Sequence, residues 1–343
     1  MKKIPRPKKQ TQVLWGFLFL FISCDGSYQR YIISGKTMGT TYSVKLVFTH
    51  SDHEKSKIEK AIDSILISLN QQMSTWIDDS EISIFNKSLS TAPYKVSDEF
   101  FHVLERGKKI NKKTGGAFDY TIFPVAELWG FGPDGNQRKE NPEKSEIENV
   151  LGYVGIDKVQ LKYPYVNKLH PKVQLDLNAI AKGYAVDIIY DWVSNMGYSN
   201  IFVEIGGEIR CSGINMHREL WVVGIDMPRK KSLPGQELYT TLPLNNEAIA
   251  TSGNYRSFIV QDGKTINHSL NPVSGFPVET DIVSVSVKSG DCLTADAWAT
   301  ALMVLPYQVG IKKVEEDDTI EALWVILNKD NNFEHYSSSG FFE

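Results

Sequence analysis

Segments with strand periodicity and segments with helix periodicity follow one another in this chain without a regular alternation. Apolar residues at every second position predict a half-buried strand at residues 41–48. Apolar residues at helical spacing predict a helix at residues 54–73, and a second helix is predicted from Ser97, a good N-cap, to Thr114. Because no βα unit repeats and no linker interrupts the pattern, the sequence predicts an α+β fold: a single domain with a mixed or antiparallel β-sheet core and flanking helices.

The second half of the chain continues this mixture. Alternating or apolar runs predict strands at residues 173–177, 201–205, 221–226 and 281–287, and a final strand at 322–327. A helix is predicted to begin within residues 178–187 and to end at Gly197, since glycine is common just beyond a helix C-terminus. The polar stretch 133–150, rich in Pro, Gly and Asn, is predicted to be a surface loop.

The N-terminus has the pattern of an export signal. Five basic residues precede the apolar residues 13–22, a run too short for an ordinary membrane span. The run ends in the sequence Phe21-Ile-Ser-Cys24. This pattern predicts a lipoprotein-type signal peptide at residues 1–23, lipidation of Cys24, and a mature domain at 24–343. We therefore expect an exported protein, lipid-anchored to a bacterial membrane and facing the periplasm or the cell exterior. An ordinary signal peptide or an uncleaved anchor is the alternative.

The charge balance argues against a nucleic-acid partner. Removing residues 1–23 leaves 32 basic and 41 acidic side chains, a formal charge of −9. Phosphate backbones require clustered Lys and Arg, so no nucleic acid is expected as a ligand. After this processing Cys211 and Cys292 are the cysteines that remain, and we predict that they are unpaired.

Residues 291–304 form a further predicted helix, which we expect to be amphipathic. Asp296 and Thr300 are four residues apart, so a carboxylate and a hydroxyl lie on one helical face. Two small oxygen ligands at this spacing suit Mg²⁺, which retains waters and takes few protein ligands besides phosphate. Alternatively, Thr300 packs in the core and Asp296 is a solvated or capping residue.

Nine short motifs, taken together and in order, resemble the ApbE family of flavin transferases, the FAD:protein FMN transferases. The resemblance runs from about residue 35 to about residue 305. Its motifs are Met38-Gly-Thr-Thr-Tyr42, Ser80-Glu-Ile-Ser-Ile-Phe-Asn86, Gly116-Ala-Phe-Asp119, Leu128-Trp-Gly-Phe131, Ile180-Ala-Lys-Gly-Tyr-Ala-Val-Asp187, Glu204-Ile-Gly-Gly207, Thr251-Ser-Gly-Asn-Tyr-Arg256, His268 with Asn271-Pro272, and Ala295-Asp-Ala-Trp-Ala-Thr300. In the fourth position of the His268 motif the family usually has Asp, where this chain has Asn271.

The resemblance implies an enzyme that binds FAD with Mg²⁺ and cleaves the FAD pyrophosphate. FMN would be joined to a Thr or Ser hydroxyl of a partner flavoprotein, and AMP would be released. The partners implied by the resemblance are flavin-acceptor subunits of membrane redox complexes.

The resemblance also implies site residues. The implied metal ligands are Asp296, Thr300 and the main-chain carbonyl of Ala181. The implied FAD contacts are Met38, Trp76, Ala117, Phe118, Asp119, Asn178, Lys182, Tyr184 and Leu270. His268 and Asp296 are the implied catalytic residues, with His268 as general base or as an orienting group for the acceptor, since imidazole has a suitable pKa. Alternatively, Lys182 is a solvated lysine, Trp76 packs in the core, and His268 is a structural loop residue. Asp187 is expected to brace its helix.

Two other functions fit the same motifs. An FAD pyrophosphatase would use the same cation site and pass FMN to water. A non-catalytic FAD-binding lipoprotein would bind the dinucleotide without cleaving it, although binding alone does not require a cation at the scissile bond.

Overall fold

An eight-stranded antiparallel sheet organises the part of the chain that the structure describes. This computed structural model describes residues 27–133, 141–228, 235–254, 258–261, 264–267, 269–330 and 332–343. The strands of the sheet, in spatial order, are β1 (Gln29–Thr37), β2 (Thr40–Phe48), β6 (Asn200–Ile205), β7 (Glu208–Ser212), β10 (Ala248–Gly253), β13 (Ile282–Ser289), β14 (Ile320–Leu327) and β15 (Phe333–Ser337). Every neighbouring pair in it is antiparallel. The α+β prediction is therefore confirmed.

Three smaller sheets lie beside it within the described ranges. Their strands are β3 (Tyr94–Lys95), β4 (Val159–Lys162) and β5 (Tyr165–Lys168) in one, β8 (Trp221–Asp226) and β9 (Leu238–Leu244) in the second, and β11 (Phe258–Gln261) and β12 (Lys264–Asn267) in the third. The predicted strand at residues 221–226 has the bounds of β8.

The helices of the described ranges are α1 (Lys55–Met73), α2 (Glu81–Lys87), α3 (Asp98–Thr114), α4 (Phe123–Trp129), α5 (Lys144–Leu151), α6 (Ala181–Asn195), α7 (Cys292–Val304) and α8 (Tyr307–Glu315). Gly197 follows α6 with φ of +92°, as the sequence predicts. Ser97 occupies the N-cap position of α3, but its hydroxyl donates to Gln72 and Glu81 rather than capping the helix. None of these helices has the length and apolar character needed to cross a membrane.

The sheet is covered on both faces. The main core contains apolar residues of α1, α3, α6 and α7 together with one face of the strands, including Val44 and Leu46 of β2. A second core lies between other sheet residues, such as Val47 and Phe202, the β8–β9 hairpin and Phe341. The predicted half-buried strand at residues 41–48 is therefore buried on both faces near its C-terminal end.

The predicted strand at residues 173–177 is wrong, because this extended segment pairs with no strand in the described structure. Val173, Leu175 and Leu177 are fully buried, which explains the alternation. The amide side chain of Asn86 replaces a strand partner: its Nδ2 donates to the Leu175 carbonyl over 2.8 Å, and its Oδ1 accepts from the Leu175 amide over 2.7 Å.

Three further sequence expectations are corrected by the structure. The predicted loop at residues 133–150 contains α5, whose first turn is closed by a capping box between Glu143 and Glu146. The strand at 322–327 is not the last, because β15 follows it as the sheet edge. Helix α7 is not amphipathic: 12 of its side chains are buried, because it lies between α6 and strands β10 and β13.

Candidate functional site

A cavity of about 330 Å³ opens beside the tight turn between β1 and β2. The turn contributes Met38, the end of α1 and the loop after it contribute Met73 and Trp76, and the start of α6 contributes Ala181 and Lys182. Asn178 also lines it. The structure therefore brings together five of the residues that the resemblance implies: Met38, Trp76, Asn178, Ala181 and Lys182.

Two of these residues are unusual for their type. Trp76 is 59% exposed, so the alternative that it packs in the core is wrong. Met38 has φ of +48°, a conformation that non-glycine residues rarely adopt. A thioether and an indole at the same cavity supply polarisable apolar surface of the kind that flat aromatic ligands contact.

Asp296 and Thr300 lie one turn apart on α7, and Asp296 lies near Lys182, which lines this cavity. Asp296 is only 3% exposed, and its Oδ2 accepts a hydrogen bond of 3.0 Å from the Gly183 amide of α6. The Thr300 hydroxyl lies 3.3 Å from the Ser252 hydroxyl of β10. The alternative of a solvated Asp296 is therefore wrong, since the carboxylate is buried at the contact between two helices.

The ligand set that the resemblance implies has the chemistry of a hard-cation site. A carboxylate, a hydroxyl and the carbonyl of Ala181 are all oxygen ligands, which Mg²⁺ prefers, and Mg²⁺ completes its shell with water and phosphate. No cluster of three or more His, Cys, Asp or Glu residues suited to a metal occurs within the described ranges.

Lys182 lies between two buried carboxylates. Its Nζ donates to Glu208 Oε1 over 2.8 Å and lies 3.7 Å from Asp296 Oδ1. Burial alone would lower the pKa of Lys182, but Asp296 and Glu208 outweigh burial and raise it. The alternative of a solvated lysine is therefore wrong, and Lys182 is a charged group held within the site.

Glu208 is a buried residue of the candidate site that the sequence does not single out. Burial raises its pKa to about 7, with Asp296 adding to the rise and Lys182 opposing it. Its Oε2 is buried and has no hydrogen-bond partner among the described residues. The only sequence signal was its position immediately after Gly206 and Gly207, the glycine pair of a family motif.

Asp187 braces the start of α7. Its carboxylate accepts from the amides of Cys292 and Leu293 over 2.9 and 2.8 Å, and Arg210 donates to it over 2.8 Å. Burial raises the pKa of Asp187 to about 6, against the lowering effects of Arg210 and the two amides. The expectation that Asp187 acts structurally agrees with this geometry, although the helix it braces is α7 rather than its own α6.

A second group of implied residues does not line the Met38–Trp76 cavity in the described structure: Ala117, Phe118, Asp119, Tyr184 and Leu270. Ala117, Phe118 and Tyr184 are buried in the main core, and the Tyr184 ring stacks on His102. Asp119 accepts from the Thr121 amide and hydroxyl and from the Ile156 amide, so its carboxylate ties two loops together.

Asp119 also borders a separate cavity of about 360 Å³, together with Gly116, Pro272 and Val273. Leu270 is buried in a small core with Trp129 and lies two residues before Pro272, which lines this cavity. Asn271 Oδ1 accepts from the amides of Val273 and Ser274, so an amide oxygen here closes the turn that a carboxylate would also close.

Two implied residues, His268 and Cys24, and the whole of the predicted signal peptide lie outside the described residues. The prediction that Cys211 and Cys292 are unpaired is confirmed, since both are buried free thiols. Cys292 is the first residue of α7. Its backbone amide, not its sulfur, makes the contact with Asp187.

Comparison with known proteins gives a consistent result. The model of the ApbE family matches residues 38–324. A FAD:protein FMN transferase of Vibrio cholerae is 36% identical over 324 residues, covering 94% of this chain and 95% of the relative. A FAD:protein FMN transferase of Haemophilus influenzae is 35% identical over 325 residues, covering 93% of this chain and 92% of the relative.

Solved structures agree with the sequence relatives. The flavin transferase ApbE from Vibrio cholerae superposes with a TM-score of 0.83 at 35% identity, covering 92% of this chain and 98% of that one. The apo form of the Pseudomonas stutzeri flavinyl transferase ApbE gives a TM-score of 0.83 at 30% identity, covering 92% and 96%. The buried Asp296 carboxylate and the cavity at Met38 and Trp76 thus lie in a chain that matches these proteins over nearly its whole length. The chain therefore belongs to the ApbE family and is an enzyme.

Proposed function

We propose that this chain is a FAD:protein FMN transferase that attaches FMN from FAD covalently to a Thr or Ser hydroxyl of a partner flavoprotein and releases AMP. The observation that carries the proposal is the adjacency of two unlike surfaces. Met38 and Trp76 present apolar and aromatic surface to the cavity, and Lys182 continues that cavity toward Asp296. Such an arrangement suits a flavin ring joined to a charged diphosphate. The relatives named above support the same activity.

Mg²⁺ is the cation proposed for Asp296, Thr300 and the Ala181 carbonyl. When bound, it would neutralise charge on the pyrophosphate, which is the main requirement of phosphoryl transfer. The chain's own residues position the Asp296 carboxylate and add charge beside it. Gly183 fixes the rotamer of Asp296 by donating to its Oδ2, and Lys182 adds a second positive charge at the same point.

The proposed reaction breaks a phosphoanhydride bond of FAD and forms a phosphoester bond to the acceptor. The acceptor hydroxyl oxygen bonds to the FMN phosphorus of FAD, and the bond from that phosphorus to the bridging oxygen breaks, so AMP leaves. The hydroxyl proton passes to His268, the proposed general base. Ala117, Phe118, Asp119, Asn178, Tyr184 and Leu270 are proposed to shape and border the FAD site.

The proposed location follows from the N-terminal pattern. A lipid on Cys24 would hold the enzyme at a bacterial membrane on its periplasmic or outer side, next to an acceptor subunit of a membrane redox complex. The lipoprotein pattern at residues 21–24 supports this proposal.

The test is mass spectrometry of the full chain incubated with FAD, Mg²⁺ and a candidate flavin-carrier domain. We expect an FMN-sized mass gain on one Thr or Ser of the acceptor, lost in Asp296→Ala and retained in the control Asp330→Ala, which alters an exposed carboxylate. Release of FMN and AMP without an adduct would instead support the FAD pyrophosphatase. Intact bound FAD would support the non-catalytic FAD-binding lipoprotein and contradict the proposed cation site.

A further inference from the structure

Glu208 carries a buried acceptor oxygen that no described residue hydrogen-bonds. The residue is 4% exposed at the start of β7, and its Oε2 has no partner within the described part of the chain. The preceding turn closes over it: a Cβ added to Gly206 would lie 3.3 Å from that oxygen and 2.8 Å from Thr40. An unpaired buried acceptor is destabilising, so its presence calls for a physical explanation.

The free oxygen belongs to the carboxylate that competes with Asp296 for Lys182. The Lys182 ammonium is 2.8 Å from Glu208 Oε1 and 3.7 Å from Asp296 Oδ1, so it is already displaced toward Glu208. A divalent cation bound by Asp296 would repel this ammonium strongly, because charges this close interact with little screening in a buried site. The ammonium would then need a second acceptor besides Asp296. The unpaired Oε2 of Glu208 is such an acceptor, because it belongs to the carboxylate that Lys182 already contacts.

The charge balance of the three side chains leads to the same conclusion. Asp296 and Lys182 alone sum to zero and would offer a cation no net attraction. Ionised Glu208 brings the cluster to −1 before the cation arrives, and a divalent cation brings it to +1, a charge that suits an incoming diphosphate. Glu208 thus supplies the charge that lets Lys182 and the cation occupy one site.

We propose that Glu208 is a positioning residue that holds the Lys182 ammonium away from Asp296, so that the Asp296 carboxylate is free for the cation. This inference rests on the proposed function, since it takes Asp296 as a Mg²⁺ ligand. It adds a residue outside the proposed ligand set and gives Lys182 two positions, one between the carboxylates and one on both oxygens of Glu208.

The test is calorimetric titration of the full chain with Mg²⁺ alone, in the absence of FAD. We expect Glu208→Gln to weaken Mg²⁺ binding about tenfold or more, and Glu208→Asp to restore part of the loss. Adding Lys182→Met to Glu208→Gln should return the affinity toward the wild-type value, because the competing ammonium is gone. A merely structural Glu208 would make the double variant no better than the single one.

Two further variants keep the test decisive. Lys182→Met alone should bind Mg²⁺ more tightly than the wild type, and this result does not depend on the folding of Glu208→Gln. Glu204→Gln is the matched control on the neighbouring strand: its carboxylate accepts only from the Gly207 amide among the described hydrogen bonds, so the affinity should be unchanged.

The outcomes separate this inference from the proposed function. Mg²⁺ binding that survives Asp296→Ala would overturn the cation site itself. Binding that needs Asp296 but is unchanged by Glu208→Gln, or that fails to recover in the double variant, would overturn only the role of Glu208.

Discussion

Trp76 and Met38 line the cavity, and each has an arrangement that lowers the stability of the fold. Trp76 keeps 59% of its surface exposed, although burying a side chain of that size is among the most favourable contributions available to a fold. Met38 holds a positive φ that costs a non-glycine residue about 1 kcal/mol or more. Neither arrangement improves packing among the described residues, and both fit the proposed contact with FAD.

The substitution Trp76→Ala tests this explanation. We expect it to weaken FAD binding about tenfold, equivalent to about 1.4 kcal/mol, because an aromatic contact face is lost. The melting temperature should change little, since the side chain is mostly solvent-exposed. Calorimetric titration with FAD in EDTA measures binding without turnover. The control Tyr163→Ala removes another exposed aromatic, on the β4–β5 turn, and should leave FAD affinity at the wild-type value; an unchanged affinity in Trp76→Ala would contradict the assignment.

At the scale of elements, the site depends on how closely α6 and α7 approach. A Cβ added to Gly183 would lie 2.3 Å from the Cys292 carbonyl oxygen and 2.8 Å from Asp296 Cβ. Gly183 is therefore required for its size, and its amide fixes Asp296 at the same contact. Asp187 holds the first turn of α7 from the same helix. The contacts of Gly183 and Asp187 thus fix the position of α6 relative to α7 near the proposed cation site.

Gly183→Ala should separate the two helices. We expect the free energy of unfolding to fall by about 1–3 kcal/mol through overpacking against a backbone carbonyl, and Mg²⁺ affinity to fall with it. Gly290→Ala is the control, because a Cβ there meets no atom within 4 Å; its effect should stay within about 0.5 kcal/mol. Urea denaturation and Mg²⁺ titration measure the two quantities. Wild-type values for both in Gly183→Ala would show that the close approach is not required.

The elements that the sequence predicts well are those whose pattern is local. Helix α1 and strand β8 follow from periodicity. The position of α7, with Asp296 and Thr300 one turn apart, is predicted correctly although its predicted amphipathic pattern is wrong. The segment 173–177 has the same alternation as a strand, but only the fold shows that Asn86 occupies the place of a partner. Glu208 was missed for a similar reason: its significance comes from Lys182, a neighbour 26 positions away in sequence that is brought near it by folding.

At the scale of the whole molecule, the sheet separates the site from the second core. The cavity and the proposed cation ligands lie with α1, α6 and α7 on the side of the main core. The β8–β9 hairpin and Phe341 cover the opposite face, where the second core includes Trp221 and Leu323. Damage to that second core should lower the stability of the protein without altering the shape of the site.

Phe341→Ala tests this separation. Phe341 is fully buried, so we expect a loss of about 3–5 kcal/mol in the free energy of unfolding. At temperatures where the variant remains folded, its FAD affinity should equal that of the wild type. The neighbouring Phe342 is 54% exposed, and Phe342→Ala should be nearly neutral in denaturant titrations. Weakened FAD binding in folded Phe341→Ala would mean that the two faces are coupled.

The burial of α7 has a consequence for how such an enzyme can diversify. Because 12 of its side chains are enclosed, almost any substitution in this helix must be matched by a compensating change elsewhere. Random variation should therefore be purged from α7 and tolerated at exposed positions outside the proposed FAD contacts, such as Ile67 and Val309. A lineage that acquires a new acceptor protein would then change its exposed surface while inheriting the helix intact.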